Sequence, residues 1–183
     1  MKRTAVLVSF ALAMALGCVP TLNPVYTEKD LSFDPALVGH WTQTDASATW
    51  TFTKSGEKEY ELVYTDDRGR SGRFAARLAN VGGVRLLDLY PVKEDVQSNE
   101  FYKFHLMPIH TAYLVRQTSP HPQLAGFDLK WLDTYLTQHP DALANSMHNG
   151  QRLITASTDD VQAFLLEHQD QFKGSFDLVP VEN

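Results

Sequence analysis

Ala48-Thr49-Trp50-Thr51-Phe52-Thr53 alternates apolar and polar side chains residue by residue. Successive side chains of an extended strand point to opposite faces, so this run puts Ala48, Trp50 and Phe52 on one face and three threonines on the other. The period of two returns downstream. Tyr60, Leu62 and Tyr64 alternate with Glu59, Glu61 and Val63, and Phe74, Ala76 and Leu78 alternate with Arg73, Ala75 and Arg77. The breaks carry turn chemistry: Lys54-Ser55-Gly56-Glu57, Asp66-Asp67-Arg68-Gly69 and Asn80-Val81-Gly82-Gly83. Val84 to Tyr90 reads as a further strand stopped by Pro91, and Tyr102 to Met107 and Ile109 to Gln117 as two more with Pro108 at the corner. Short, evenly spaced strands with tight turns predict an antiparallel meander from Gly39 to about Thr118, closed into a barrel or strongly curved.

The last third changes period. Leu129, Leu132, Tyr135 and Leu136 recur at helical spacing, which predicts a helix over Asp128–Thr137 with Asp128 as its cap. Arg152 to Ala156 reads as a short strand. Ser157-Thr158-Asp159-Asp160 resembles a capping box opening a second helix whose inner stripe is Val161, Phe164, Leu165 and His168. Ser175 to Val181 reads as a last strand, and Pro180 inside it predicts a sheet edge. The fold class expected is mainly β with C-terminal helices (α+β), the two helices covering an end or a seam of the sheet. Residues 139–149 carry no clear pattern.

The N-terminus is of another kind. Lys2 and Arg3 precede an apolar stretch from Thr4 to Leu16, the form of a secretory signal. The stretch is shorter than the roughly 20 apolar residues that span a bilayer. The chain's one cysteine follows it at once. Exported proteins use cysteines in pairs, so a lone thiol calls for a modification. Ala15-Leu16-Gly17-Cys18 resembles the bacterial lipobox, with Ala15 where that family usually has Leu, Val or Ile. The resemblance implies cleavage before Cys18, a diacylglyceryl group (palmitate-like chains) on its sulfur and often an amide-linked chain as well. Two or more acyl chains give a lasting membrane anchor. The alternative is an ordinary signal cut after Ala15 or Gly17, which would leave the lone thiol unexplained. Val19 stands where Asp would resemble an inner-membrane retention signal, so in a Gram-negative host the expected place is the periplasmic face of the outer membrane.

The expected organisation is a signal peptide over 1–17, a lipidated N-terminus and tether over 18–33 containing Pro20 and Pro24, and a single β-rich domain over 34–183. Losing residues 1–17 removes Lys2 and Arg3 and no acid. Sixteen basic residues become 14 against 22 acidic ones, and the formal charge moves from −6 to −8. That balance argues against nucleic acid and against polybasic attachment to lipid. The expected partners are the membrane through the lipid anchor, and a small apolar ligand or an envelope protein.

Leu37-Val38-Gly39-His40-Trp41 resembles the Gly-x-Trp signature at the first strand of lipocalins and related calycin barrels, and Asp34-Pro35-Ala36-Leu37 resembles the short helical turn before it. The resemblance implies a tryptophan closing the bottom of a barrel, a glycine that lets the chain pass close beside it, and a cavity for an apolar ligand. Arg116 is offered as the late barrel arginine of that family. Thr65-Asp66-Asp67 lacks the tyrosine of the family's Thr-Asp-Tyr loop, and the segment between residues 119 and 150 is larger than a lipocalin loop.

Candidate cavity residues are Trp41, Trp50, Phe52, Tyr60, Tyr64, Asp88 and Tyr90. Asp88 stands out because it shares a strand face with Val84, Leu86 and Tyr90, and a carboxylate among apolar neighbours needs a partner. It is a group that orients a ligand, half of a structural pair with Arg77, Arg85 or a backbone donor, or a polar residue on a wet face. The seven histidines lack ligand spacing, although His105 and His110 would meet if their strands pair. Ser55-Gly56 and Ser71-Gly72 lack a nucleophile elbow, and Gly82-Gly83 is too short to cradle phosphate. Neither catalytic residues, a metal nor a cofactor is expected. The two functions weighed are a lipocalin-like lipoprotein holding a small apolar ligand, and a structural or interaction lipoprotein with a filled barrel.

Overall fold

The computed structural model describes residues 19–44, 46–92, 106–148 and 150–181. In chain order the strands are β1 (Val19–Thr21), β2 (Leu31–Ser32), β3 (Gly39–Gln43), β4 (Thr49–Lys54), β5 (Tyr60–Thr65), β6 (Ser71–Val81), β7 (Val84–Pro91), β8 (His110–Gln117) and β9 (Gln123–Phe127). Then come helix α1 (Leu129–Gln138), β10 (Asn145–His148), β11 (Gln151–Ile154), helix α2 (Thr158–Glu167) and β12 (Phe172–Pro180).

β3 to β9 pair in order as an antiparallel meander, and β12 lies between β9 and β3. Eight strands thus close a lipocalin-like barrel. The closure is read from register: Trp41 faces Trp50 on β4 and Pro180 on β12, while Phe176 faces Leu124 on β9. Closed sheets have no edge to protect. Pro180 is therefore not on an edge strand, contrary to the sequence expectation. It is the last residue of β12, past the point where β9 pairs, so its missing N–H interrupts no ladder on that side.

The pleat sorts side chains into two cores. Leu37, Trp41, Trp50, Phe52, Tyr60, Leu62, Leu87, Leu89, Tyr113, Val115, Phe176 and Leu178 fill the barrel. Leu86, Ala112, Ala125 and Phe127 face outward, under Leu132 and Leu136 of α1 and Val161, Phe164 and Leu165 of α2. The helices therefore cover the outer wall along β7 to β9. Asp128 caps α1 by accepting from the Trp131 amide at 2.9 Å, and Ser157 caps α2 by accepting from the Asp160 amide at 3.2 Å. Between β6 and β7, Gly82 and Gly83 take φ of +57° and +87°, as a two-residue hairpin turn demands.

Residues 19–33, expected as a tether, are woven into the wall instead. β1 pairs with β8 and β11, and β2 pairs with β6. Val19, Thr21, Val25 and Leu31 are all buried. Apolar residues spaced among the prolines find an open stretch of outer wall, and burying them outweighs the freedom the prolines leave. Cys18 and the signal segment lie outside the described residues, as do residues 102–105 of the expected strand; Leu106 and Met107 are not in a strand.

Candidate ligand site at the upper end of the barrel

The two ends of the barrel differ. At the lower end, where β3 and β5 begin, the Trp41 indole folds back over Gly39 and donates to the Leu37 carbonyl at 3.0 Å. Phe33 stacks on Tyr60 with centroids 4.7 Å apart. The Tyr60 hydroxyl accepts from the Asp34 amide at 2.6 Å and donates to its carbonyl at 3.0 Å. The Asp34 carboxylate accepts from the Ala36 amide, Arg85 and Thr118 at 3.0, 2.8 and 2.7 Å. One short turn thus ties β5, β7 and the end of β8 together and floors the barrel.

Burial pushes the Asp34 carboxyl up, but bonds from Thr118, the Ala36 amide and Arg85 together hold it below the ordinary carboxylate range. A carboxyl depressed in the folded state stabilises above its unfolded pKa of about 4, and that contribution fades as pH falls toward the folded value. Asp34→Asn is therefore expected to lower stability at pH 7 and to flatten the loss of stability below about pH 4. Urea melts at pH 7, 4 and 3 check this; parallel pH profiles for both proteins would contradict it.

At the upper end, where β3, β5 and β7 finish, the inward residues are mostly aromatic; Trp50, Tyr113 and Phe176 are buried. Trp50 meets Tyr64, Tyr113 and Phe176 at centroid distances of 5.2, 5.9 and 6.0 Å. Tyr64 and Phe74 face inward yet are only half-buried. Burial, and then Asp66 and Asp67 of the adjacent turn, raise the Tyr64 phenol above its usual range. Trp50 itself is 2% exposed, and its Nε1–H has no hydrogen-bond acceptor among the described residues. Buried indole donors usually find one.

Comparison with protein-family models, curated proteins and solved structures found no match for this chain. The assignment of a site therefore rests on geometry alone.

Of the seven sequence candidates, Trp50 and Tyr64 line the upper end. Trp41, Phe52 and Tyr60 belong to the floor and lower core. Asp88 and Tyr90 are corrected: the pleat of β7 turns Leu87 and Leu89 inward and these two outward. Asp88 is fully buried beneath the N-terminal segment, where it meets His110 Nδ1 at 2.7 Å and accepts from the Val25 amide at 3.2 Å. Tyr90 lies against the His110 ring at 4.4 Å. Nearby, Arg77 pairs with Glu59 and lies 5.6 Å from the Tyr26 ring. The carboxylate is thus structural, paired through a backbone donor as weighed above and through a histidine not anticipated as its partner. Arg116 is also corrected, since it reaches across β9 to bond Ser175 and the Phe172 carbonyl at the start of β12, whereas Trp41 pairs with Pro180 at that strand's other end.

Tyr113 and Phe176 were not among the candidates. Their signal was the alternation of Thr111, Tyr113 and Val115, and of Phe176, Leu178 and Pro180, which only the closure of the barrel brings opposite Trp50. Outside the barrel, a groove of about 400 Å³ runs between residues 141–144 and α2, with Asp141, Asp160 and Glu167 over Leu143 and Phe164. Among the described residues no cluster of His, Cys, Asp and Glu is placed to hold a metal.

Proposed function

We propose that this protein is a membrane-anchored bacterial lipoprotein whose barrel takes a small apolar ligand at its upper end. The observation that carries the ligand is the asymmetry of the barrel: a floor sealed by Trp41, Leu37 and the Asp34 bonds, against two inward rings, Tyr64 and Phe74, left half-buried at the other end. Half-exposed aromatic rings facing a concave interior gain from an apolar occupant. Because the lower interior is filled, the ligand must be small. The anchor rests on the lipobox resemblance at residues 15–18, which also supports export and the periplasmic face of the outer membrane in a Gram-negative host.

The packing that limits the ligand also favours a second reading, an envelope lipoprotein with a filled barrel that acts through its outer surface. Mass spectrometry of the detergent-extracted protein separates them. Denatured, the chain is expected to begin at Cys18 and to weigh more than its residues by its acyl groups. Sprayed natively, it is expected to carry a non-covalent apolar adduct that Trp50→Ala loses. An unmodified Cys18 would overturn the anchor. A clean native mass would favour the filled barrel.

A further inference from the structure

The unpartnered donor at Trp50 says what kind of molecule suits the upper end. Its indole ring packs against Tyr64, Tyr113 and Phe176, its Nε1–H is buried, and nothing among the described residues accepts from it. A buried donor left without an acceptor is costly, and a ligand that supplies one recovers that cost on binding. The described surroundings favour an uncharged acceptor. The described inward side chains at this end are Trp50, Tyr64, Phe74, Leu89, Tyr113 and Phe176, none of them cationic. Arg85 is committed to Asp34 at the opposite end. Among the described residues, a carboxylate or phosphate here would lose its water with no counter-charge in reach.

We infer that the ligand is a small, neutral, apolar molecule bearing one carbonyl-type oxygen, which accepts from Trp50 Nε1–H. This deepens, and rests on, the reading of the upper end as a ligand site. A purely hydrocarbon ligand would fill the same aromatic space and leave the indole donor unmet. The hydrogen bond therefore sets selectivity, and the rings set the shape.

The test uses two probes of nearly the same planar shape, acetophenone and α-methylstyrene, which differ in C=O against C=CH2. Each is titrated into the full chain labelled with ¹⁵N-tryptophan. The three tryptophans give three indole signals. Trp131→Phe identifies the half-exposed one on α1, contacts to Leu37 identify Trp41, and Trp50 is the remainder. Trp50→Phe serves as a check that the assignment does not require. Acetophenone is expected to bind about tenfold tighter than α-methylstyrene and to move the Trp50 indole proton downfield. Equal affinities with that proton unmoved would overturn the acceptor while leaving the ligand site standing. A persistent water already held by Nε1–H, and not displaced by acetophenone, would overturn it too. Binding of neither probe would bring down the ligand site itself, and the acceptor with it.

Discussion

Asp88→Ala is expected to cost about 3 to 5 kcal/mol, because it breaks a buried pair and leaves its partners uncompensated. Asp88 is fully buried, and His110 is 8% exposed. Removing the carboxylate strands the His110 ring nitrogen, 2.7 Å from Oδ1, and the Val25 amide, 3.2 Å from Oδ2. Val25 is itself fully buried, so water does not replace the lost acceptor at its amide without opening the segment. The consequence reaches beyond stability, since Asp88 is one of the points that hold residues 19–33 against the wall. Others include the β1 and β2 ladders, Asn23 bonding the Ala156 carbonyl at 2.8 Å, Thr158 bonding the Pro24 carbonyl at 2.9 Å, and Gln162 bonding the Val25 carbonyl at 3.1 Å. With about 1 to 3 kcal/mol per molar of urea as the slope, the midpoint should fall by more than about 1 M. The Val25 amide should exchange with solvent faster than amides of β4 and β5 in the same protein. Asp88→Asn keeps the shape and one acceptor oxygen, and should lose less. An alanine variant with an unchanged midpoint would mean that the pair holds nothing in place.

Which of these features could be read from sequence follows from how many faces of an element are buried. β4, β5 and β6 have one face in the core and one in solvent, so their alternation is legible, as are the turns between them. The two helix caps are local chemistry and were legible to the residue. β9 was not, because Leu124, Ala125, Gly126 and Phe127 are all buried, inward against the barrel core and outward under the helices. A strand covered on both sides reads as a plain apolar run. β1 was hidden by Pro20, and β10 by the polar Asn145 and Ser146. The site was half legible for a related reason. Period two tells which residues share a face and not which face is inside, so Asp88 and Tyr90 could be assigned to the cavity when they lie on the wall. Trp50 could be named, but its empty donor is a property of the assembled interior.

Gly39 and Trp41 should depend on each other in a way that no pair of separate contributions reproduces. A Cβ at Gly39 would lie 2.7 and 2.8 Å from Cζ2 and Cε2 of the Trp41 ring. That ring cannot swing aside, since its Nε1–H is held by the Leu37 carbonyl at 3.0 Å and the residue is 9% exposed. Gly39→Ala should therefore cost about 1 to 3 kcal/mol by overpacking. The backbone there is not in the left-handed region, so none of the loss comes from conformational strain. Trp41→Ala should cost about 3 to 5 kcal/mol, through lost burial and the space it leaves. Once Trp41 is gone, the added methyl group has no ring to strike, and alanine in place of glycine restricts the unfolded chain. Gly39→Ala should then become neutral or stabilise by up to about 1 kcal/mol. The double variant should accordingly be no less stable than Trp41→Ala alone, a departure from additivity measurable by urea melts of the four proteins. Additive losses would mean that the glycine serves something other than room for the indole. The floor would then be held mainly by the bonds to Asp34, and the asymmetry that directs a ligand to the upper end would have to come from those bonds.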